Sequence, residues 1–225
     1  MTVIFRWLLA ACVLAMMLPA VGRAADPGTG WDDRALYTGW LAGALVGVEV
    51  QGLRGDELGA VRDLVLSPDG TIKAMAVEAS GMLGLGEAEF LVPWTEVEIG
   101  PLPDTILVQA VDADVPSLIR GSAAFERTAA DWRIADLLGR PVHLVGQRAF
   151  GTVKDLVFGR DGTLLAVLVS PDGGGDGPYA YPWALALVDR RTGVVHLPGT
   201  PEQLRTSGPF GLNRLGTGIF AGHPP

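Results

Sequence analysis

Cysteine is all but missing from this 225-residue chain, where Cys12 stands alone. A single thiol excludes an internal disulfide, a redox pair and Cys-ligated zinc. Histidine is scarce as well. His143, His196 and His223 are the whole set, and none lies at metal-ligand spacing from another His or an acid. No His-Glu-x-x-His, Gly-x-Ser-x-Gly or Ser-His-Asp order occurs, which removes the reaction centres built on those motifs. Lysine is reduced to Lys73 and Lys154, and acids outnumber bases to a formal net charge of −8. A surface of that sign repels phosphate backbones and anionic head groups, so nucleic acid is excluded as a partner. The expectation is a non-enzyme with no catalytic, cofactor or metal site.

Long apolar runs are missing too, except at the start. Arg6 is followed by an apolar stretch from Trp7 to Val21, then by Gly22-Arg23-Ala24 with small residues at the −3 and −1 positions. Residues 1–24 therefore read as a secretory signal peptide cut after Ala24. Retention as a membrane anchor is the alternative, but the run falls short of the roughly 20 residues that span a bilayer. Leu9-Ala10-Ala11-Cys12 has the spacing of a lipid-attachment site; the chain after Cys12 is still apolar, where a lipidated Cys would be followed by polar mature sequence. Cleavage removes two Arg, the only Cys and no acid, taking the formal charge to −10. The implied location is the periplasm or the medium, with no stable membrane span.

What the chain has is a sequence stated twice. Gly59-Ala60-Val61-Arg62-Asp63-Leu64-Val65-Leu66 returns as Gly151-Thr152-Val153-Lys154-Asp155-Leu156-Val157-Phe158, an ungapped offset of 92 residues that carries on through Asp69-Gly70 and Asp161-Gly162. Phe90-Leu91-Val92-Pro93-Trp94 is answered by Tyr179-Ala180-Tyr181-Pro182-Trp183. A unit this long is a domain, since solenoid periods run at about 20–50 residues. Helical periodicity is scarce. Short β-branched runs bounded by Gly, Pro and Asp predict an all-β fold with short helices. The expected strands in copy one are Val46–Gln51, Gly59–Ser67, Thr71–Glu78, Glu89–Pro93 and Thr105–Val111. In copy two they are Arg140–Val145, Gly151–Gly159, Thr163–Ser170, Tyr179–Pro182 and Gly193–Leu197.

Ser67-Pro68-Asp69-Gly70 and Gly159-Arg160-Asp161-Gly162 predict tight hairpins with the glycine at positive φ. Val61 and Val65 are assigned to one face of a strand, with Leu64 and Leu66 on the other. Apolar residues on both faces call for a cover on the outer wall, either the other copy or the joining segment. Asp63 and Asp155 in these strands read as carboxylates accepting backbone N–H bonds at a bulge, and Trp94 and Trp183 as core or rim packing with partner contact as the alternative. Residues 25–39 form an N-terminal segment and 115–131 a linker with a turn or two of helix. Thr200-Pro201-Glu202 opens a helix, and 207–225 form a Gly/Pro-rich flexible tail, largely unpacked or serving as a docking strand.

Gly81-Met82-Leu83-Gly84-Leu85-Gly86 leads into a strand and not a helix, so it is no phosphate cradle. Its Met82, Leu83 and Leu85 are candidate partner-binding residues, because the matching loop of copy two, Pro171 to Gly177, has Asp and Gly instead. In that second loop Asp172 and Asp176 are a rival candidate for weak Ca²⁺, without the spacing of an EF-hand loop.

Together, Leu45-Val46-Gly47-x-x-Val50, Gly59-x-Val61-x-Asp63-Leu64-Val65, Asp69-Gly70 and Gly84-Leu85-Gly86-Glu87-x-x-Phe90-x-Val92-Pro93-Trp94 resemble the PRC-barrel family. That family includes the cytoplasmic domain of the photosynthetic reaction centre H subunit and the C-terminal domain of the ribosome maturation factor. Copy two resembles it through Leu138-Gly139-x-x-Val142, Gly151-x-Val153-x-Asp155, Asp161-Gly162 and Pro182-Trp183, but lacks the Gly-Leu-Gly-Glu element. The resemblance implies two tandem small β-barrels, over residues 40–114 and 132–206, that bind protein partners without a shared catalytic site or cofactor. Joined to the export signal, it implies an adaptor or stabiliser of an envelope protein. The alternative is a small-molecule or metal-binding protein using the inter-barrel cleft and the Asp172/Asp176 loop.

Overall fold

The computed structural model describes residues 33–79, 89–100, 104–109, 128–146, 149–175, 177–206 and 208–215. Residues 1–24, expected to be a signal peptide, Met82, Leu83 and Leu85, most of the expected linker, Asp176 and the last ten residues lie outside them.

Each repeat builds one sheet. In the first, β2 (Glu49–Gly52), β3 (Glu57–Leu66), β4 (Ile72–Ala79), β5 (Glu89–Pro93), β6 (Val97–Ile99) and β7 (Thr105–Val108) take the order β5-β4-β3-β2-β7-β6. In the second, β9 (Pro141–Leu144), β10 (Gly151–Phe158), β11 (Leu164–Pro171), β12 (Tyr179–Pro182), β13 (Leu187–Val188) and β14 (Val195–Leu197) take the matching order β12-β11-β10-β9-β14-β13. The pairs β2–β7 and β9–β14 are parallel, and the rest are antiparallel.

The sheets are not closed barrels, which corrects the expectation. Pro93 and Pro182 end the strands β5 and β12 and lead into 3-10 turns at Trp94–Glu96 and Trp183–Leu185. Proline offers no N–H to a ladder. The chain rounds the corner as a turn, and the outermost strands of each sheet do not pair with each other.

Two short strands complete the sheets from the opposite repeat. β1 (Trp40–Leu41) pairs with Phe158 and Val157 of β10, and β8 (Trp132–Arg133) pairs with Val65 and Leu66 of β3. Each runs into a one-turn helix, α2 (Ala42–Leu45) or α3 (Ile134–Leu137). The hairpin turns then meet head to head: Ile72 N–H donates to Gly162 O and Leu164 N–H to Gly70 O, both at 3.0 Å, with Thr71 bridging Thr163. These contacts exchange under the 92-residue offset, so the molecule is a fused dimer of two repeats around a pseudo-two-fold axis. One apolar core runs through both halves, from Leu45, Val50 and Phe90 to Val142, Tyr181 and Leu197.

A bulge between Val61 and Asp63 shifts the strand parity by one residue. Val61 thereby joins Leu64 and Leu66 in that core, whereas the sequence assigned them to opposite faces. The outer wall of repeat two is covered as expected of a two-faced strand, but by the chain ends. Leu36 and Tyr37 of α1 (Asp33–Thr38) pack with Phe210 over Val157, Ala166 and Leu168. Tyr37 stacks on Phe210 with ring centres 4.9 Å apart, and Phe210 N–H donates to Pro178 O at 2.7 Å. The stretch 208–215 is therefore docked rather than a free tail: a buried Phe anchors it.

Helix α4 (Pro201–Thr206) starts where predicted. The Thr200 hydroxyl accepts from Gln203 N–H while the Gln203 side chain accepts from Thr200 N–H, a reciprocal capping box.

Candidate functional site

The seam between the repeats gathers the unusual side chains. Asp63 is 3 % exposed and is the one buried charged residue among those described. Its Oδ1 accepts Leu64 N–H at 2.8 Å, the bulge bond the sequence suggested, and also Ala135 N–H at 3.4 Å in helix α3 of the other repeat. Asp155 does the same in reverse, accepting Leu156 N–H at 2.8 Å and Gly43 N–H at 3.0 Å in α2. Each carboxylate thus caps the first turn of the helix that belongs to its neighbour. That part of their role was not foreseen, since it depends on which repeat donates the helix.

Burial is the main influence on Asp63 and raises its pKa, against the pull of the Leu64 and Ala135 amides and of Arg133. The Arg133 guanidinium lies 3.9 Å from Asp63 and forms an ion pair with Glu89. These three residues tie α3 and β8 to the first sheet.

The turn glycines need positive φ, +92° at Gly70 and +81° at Gly162. Each also lies against an indole of the other repeat: a Cβ on Gly70 would collide with Trp183 Nε1, and one on Gly162 with Trp94 Nε1. Packing against the opposite turn is the position of both anchor tryptophans.

A cleft of about 360 Å³ opens beside one of these turns. Pro68 and Asp69 form its wall on the repeat-one side, Trp132 and Trp183 supply aromatic surface, and Ala186 to Val188 with Arg190 form the far side. Leu187 stands 73 % exposed there. The Arg190 guanidinium lies 3.5 Å over the Trp132 ring and donates to Ala129 O and Ala130 O. The Ser67 hydroxyl donates to Asp69 and, with the Thr71 amide, holds that carboxyl below its ordinary pKa. The rim therefore carries a fixed negative charge beside an aromatic, apolar surface.

Other sequence candidates fall elsewhere. Met82, Leu83 and Leu85 lie outside the described residues. Asp172 is on the β11–β12 loop, away from the cleft lining, and its N–H donates to Phe150 O; Asp176 lies outside. Among the described residues no group of three or more His, Cys, Asp or Glu could hold a metal ion, and no helix is long and apolar enough to cross a membrane. His143 and His196 lie in strands as expected, and β9 and β14 set them directly opposite one another with their rings edge to face.

Trp132 and Trp40 were missed, although Trp40 and Trp132 are themselves 92 residues apart, followed by Leu45 and Leu137 and by Gly47 and Gly139 at the same offset. Extending the repeat upstream of residue 45 would have exposed them.

The search of curated proteins returned no match. The family model of the PRC-barrel domain, however, matches twice, over residues 42–115 and 132–204. These spans hold the two sheets and the helices exchanged between them, and with more than half of its length so matched the chain belongs to the PRC-barrel domain family.

Proposed function

We propose that this chain is an exported, non-enzymatic binding module that holds an apolar segment of an envelope protein in its seam cleft. The observation that carries the reading is Leu187. A large apolar side chain 73 % exposed at the rim of an aromatic cleft is a candidate contact, and the equivalent position of repeat one is an exposed Glu98. The fold therefore has no need of leucine there. The backbone hydrogen bonds across the seam support the same reading, because a preorganised surface loses little entropy on binding. Met82, Leu83 and Leu85 supply a second contact in this proposal.

The test is site-specific photo-crosslinking in cells from positions 187, 83 and 98, with fractionation and N-terminal sequencing of the mature protein. A discrete protein adduct from 187 that is absent from 98, and a mature chain starting at Ala25, are expected. No adduct from 187 or 83, or a cytoplasmic protein, overturns the reading.

A second reading rests on the cleft's size, which falls within the roughly 300–1,000 Å³ of small-molecule sites. It predicts a bound metabolite, recoverable on denaturing the purified chain, and no protein adduct.

A further inference from the structure

His143 and His196 are 53 residues apart in sequence and directly opposite one another in the parallel β9–β14 ladder. Their rings meet edge to face, with centres 5.7 Å apart and planes at 88°. Val142, Leu144, Val195 and Leu197, the alternate residues of the two strands, are buried in the core. The imidazoles thus share the opposite, solvent-facing side, where His196 is exposed and His143 half-buried. Across β14 the row continues to Leu187.

Repeat one supplies the control. The same row there reads Glu98, Leu107, Gln51 across β6, β7 and β2. The sheet is built equally well without either histidine, so neither is a requirement of the fold. Their pairing is a property of repeat two alone.

We propose that His143 and His196 form a two-imidazole site for a late divalent transition-metal ion, Cu²⁺ or Zn²⁺. Neutral imidazole is a strong donor to these ions. Two rings bound at about 2.0–2.1 Å to one ion bring their centres to roughly 4.5–5.2 Å, which small side-chain rotations reach from 5.7 Å. The strands hold both Cβ atoms in place, so the donors are preorganised. Among the described residues no third His, Cys, Asp or Glu completes the group. The remaining coordination positions therefore face solvent, open to water or to a donor from another molecule. The net charge of −8 favours approach of a cation. This site is independent of the protein-binding reading, though Leu187 joins it to the cleft.

The experiment titrates the full chain with Cu²⁺ alone, followed by calorimetry and by electron paramagnetic resonance with pulsed detection of imidazole nitrogen. One Cu²⁺ with two imidazole nitrogens is expected at micromolar concentration. His143→Gln and His196→Leu, the residues repeat one carries at these positions, should each weaken binding at least tenfold and leave one nitrogen. His223→Ala should change neither. No uptake by the wild type, a signal that survives both variants, or one lost only with His223→Ala overturns the site. The wild-type spectrum decides the matter even if a variant is unstable.

Discussion

Trp40 and Trp132 occupy the same place in the repeat and meet different surroundings. Trp40 is 7 % exposed, edge-on to Trp94, with the Arg160 guanidinium 5.4 Å from its ring centre. Trp132 is only half-buried and lines the cleft, under Arg190. Each arginine also donates to the carbonyl two residues ahead of its tryptophan, Thr38 O or Ala130 O. Yet the two arginines come from different places: Arg160 from the β10–β11 turn, where repeat one has Pro68, and Arg190 from the loop after β13. The ion pair of Lys73 with Asp131 at 2.9 Å exists on one side only, because its counterparts are Leu165 and Gly39. In a symmetric homodimer both copies of an interface must be identical. Covalent fusion lifts that constraint. The backbone frame is symmetric, while Trp40 is buried at one seam and Trp132 lines a cleft at the other.

Separating the repeats should have the largest effect. A fragment of residues 25–115 keeps the first sheet but loses β8, α3 and Arg133, and with them the second half of a shared core. A lone core of this size supplies at most about 3–5 kcal/mol. The fragment should be unfolded, or folded only as a dimer that restores the exchange, when followed by circular dichroism and sedimentation. A monomeric fragment melting with the intact chain would break the fused-dimer picture.

Filling the turns comes next. Gly70→Val and Gly162→Val each force a β-branched residue into a left-handed conformation, at a cost of about 1–2 kcal/mol, and drive a side chain into the opposing indole. Each should lose about 2–4 kcal/mol in urea unfolding. Near-equal losses sharpen the symmetry of the frame; a loss at only one turn would mean that the two seams differ in backbone as well as surface.

The frame itself was largely legible in the sequence. The 92-residue offset, the Asp-Gly turns and the β-branched runs located the long strands, because hairpin chemistry and strand periodicity are local. The exchange was not. β1 and β8 are two residues long and α2 and α3 four, too short to carry any periodicity, and nothing local says which repeat receives them. Val97–Ile99 and Leu187–Val188, three and two residues long, also escaped, because each follows a Pro-Trp turn and has no alternating run of its own. Phe210 looked like tail because its anchor, Tyr37, lies 173 residues upstream. The cleft and the His143–His196 pair are products of tertiary pairing, so no spacing rule applied to the chain could find them.

The capping carboxylates offer a finer comparison. Asp63 is buried and faces Arg133, while Asp155 is half-buried and the residue equivalent to Arg133 is Leu41. Asp63→Ala should cost about 2 kcal/mol and Asp155→Ala about 1, as lost caps with and without a buried partner. The pH dependence separates them further. Burial raises the Asp63 pKa above its ordinary 3.8, so within that window the folded chain binds more protons than the unfolded one. Stability contributed by this group therefore falls as pH rises through the window. Asp161, held low by the Thr163 amide, has the opposite sign: its contribution is present above the ordinary carboxylate pKa and is lost as pH falls through the lowered value. Melting curves of Asp63→Asn across this range should lose the decline just above pH 3.8 and keep the acid-side loss. An unchanged profile would place the buried proton elsewhere.

The smallest effect on stability should come from exchanging the rim residues, Leu187→Glu and Glu98→Leu. Both positions are exposed in β13 and β6, so each variant should stay within about 0.5 kcal/mol of the parent, as surface changes away from packed features do. The effect on binding is expected to be one-sided. Leu187→Glu puts a second carboxylate near Asp69 on the cleft rim and removes the apolar contact, and should abolish the crosslinked adduct reported from position 83. Glu98→Leu places a leucine at the counterpart position of repeat one, without Trp132, Arg190 or the cleft beside it, and should neither create a new adduct nor diminish the original one. Loss of more than 1 kcal/mol in Leu187→Glu would make that leucine a packing residue after all. The difference between the seams would then be one of stability, and the cleft would have no claim on a partner.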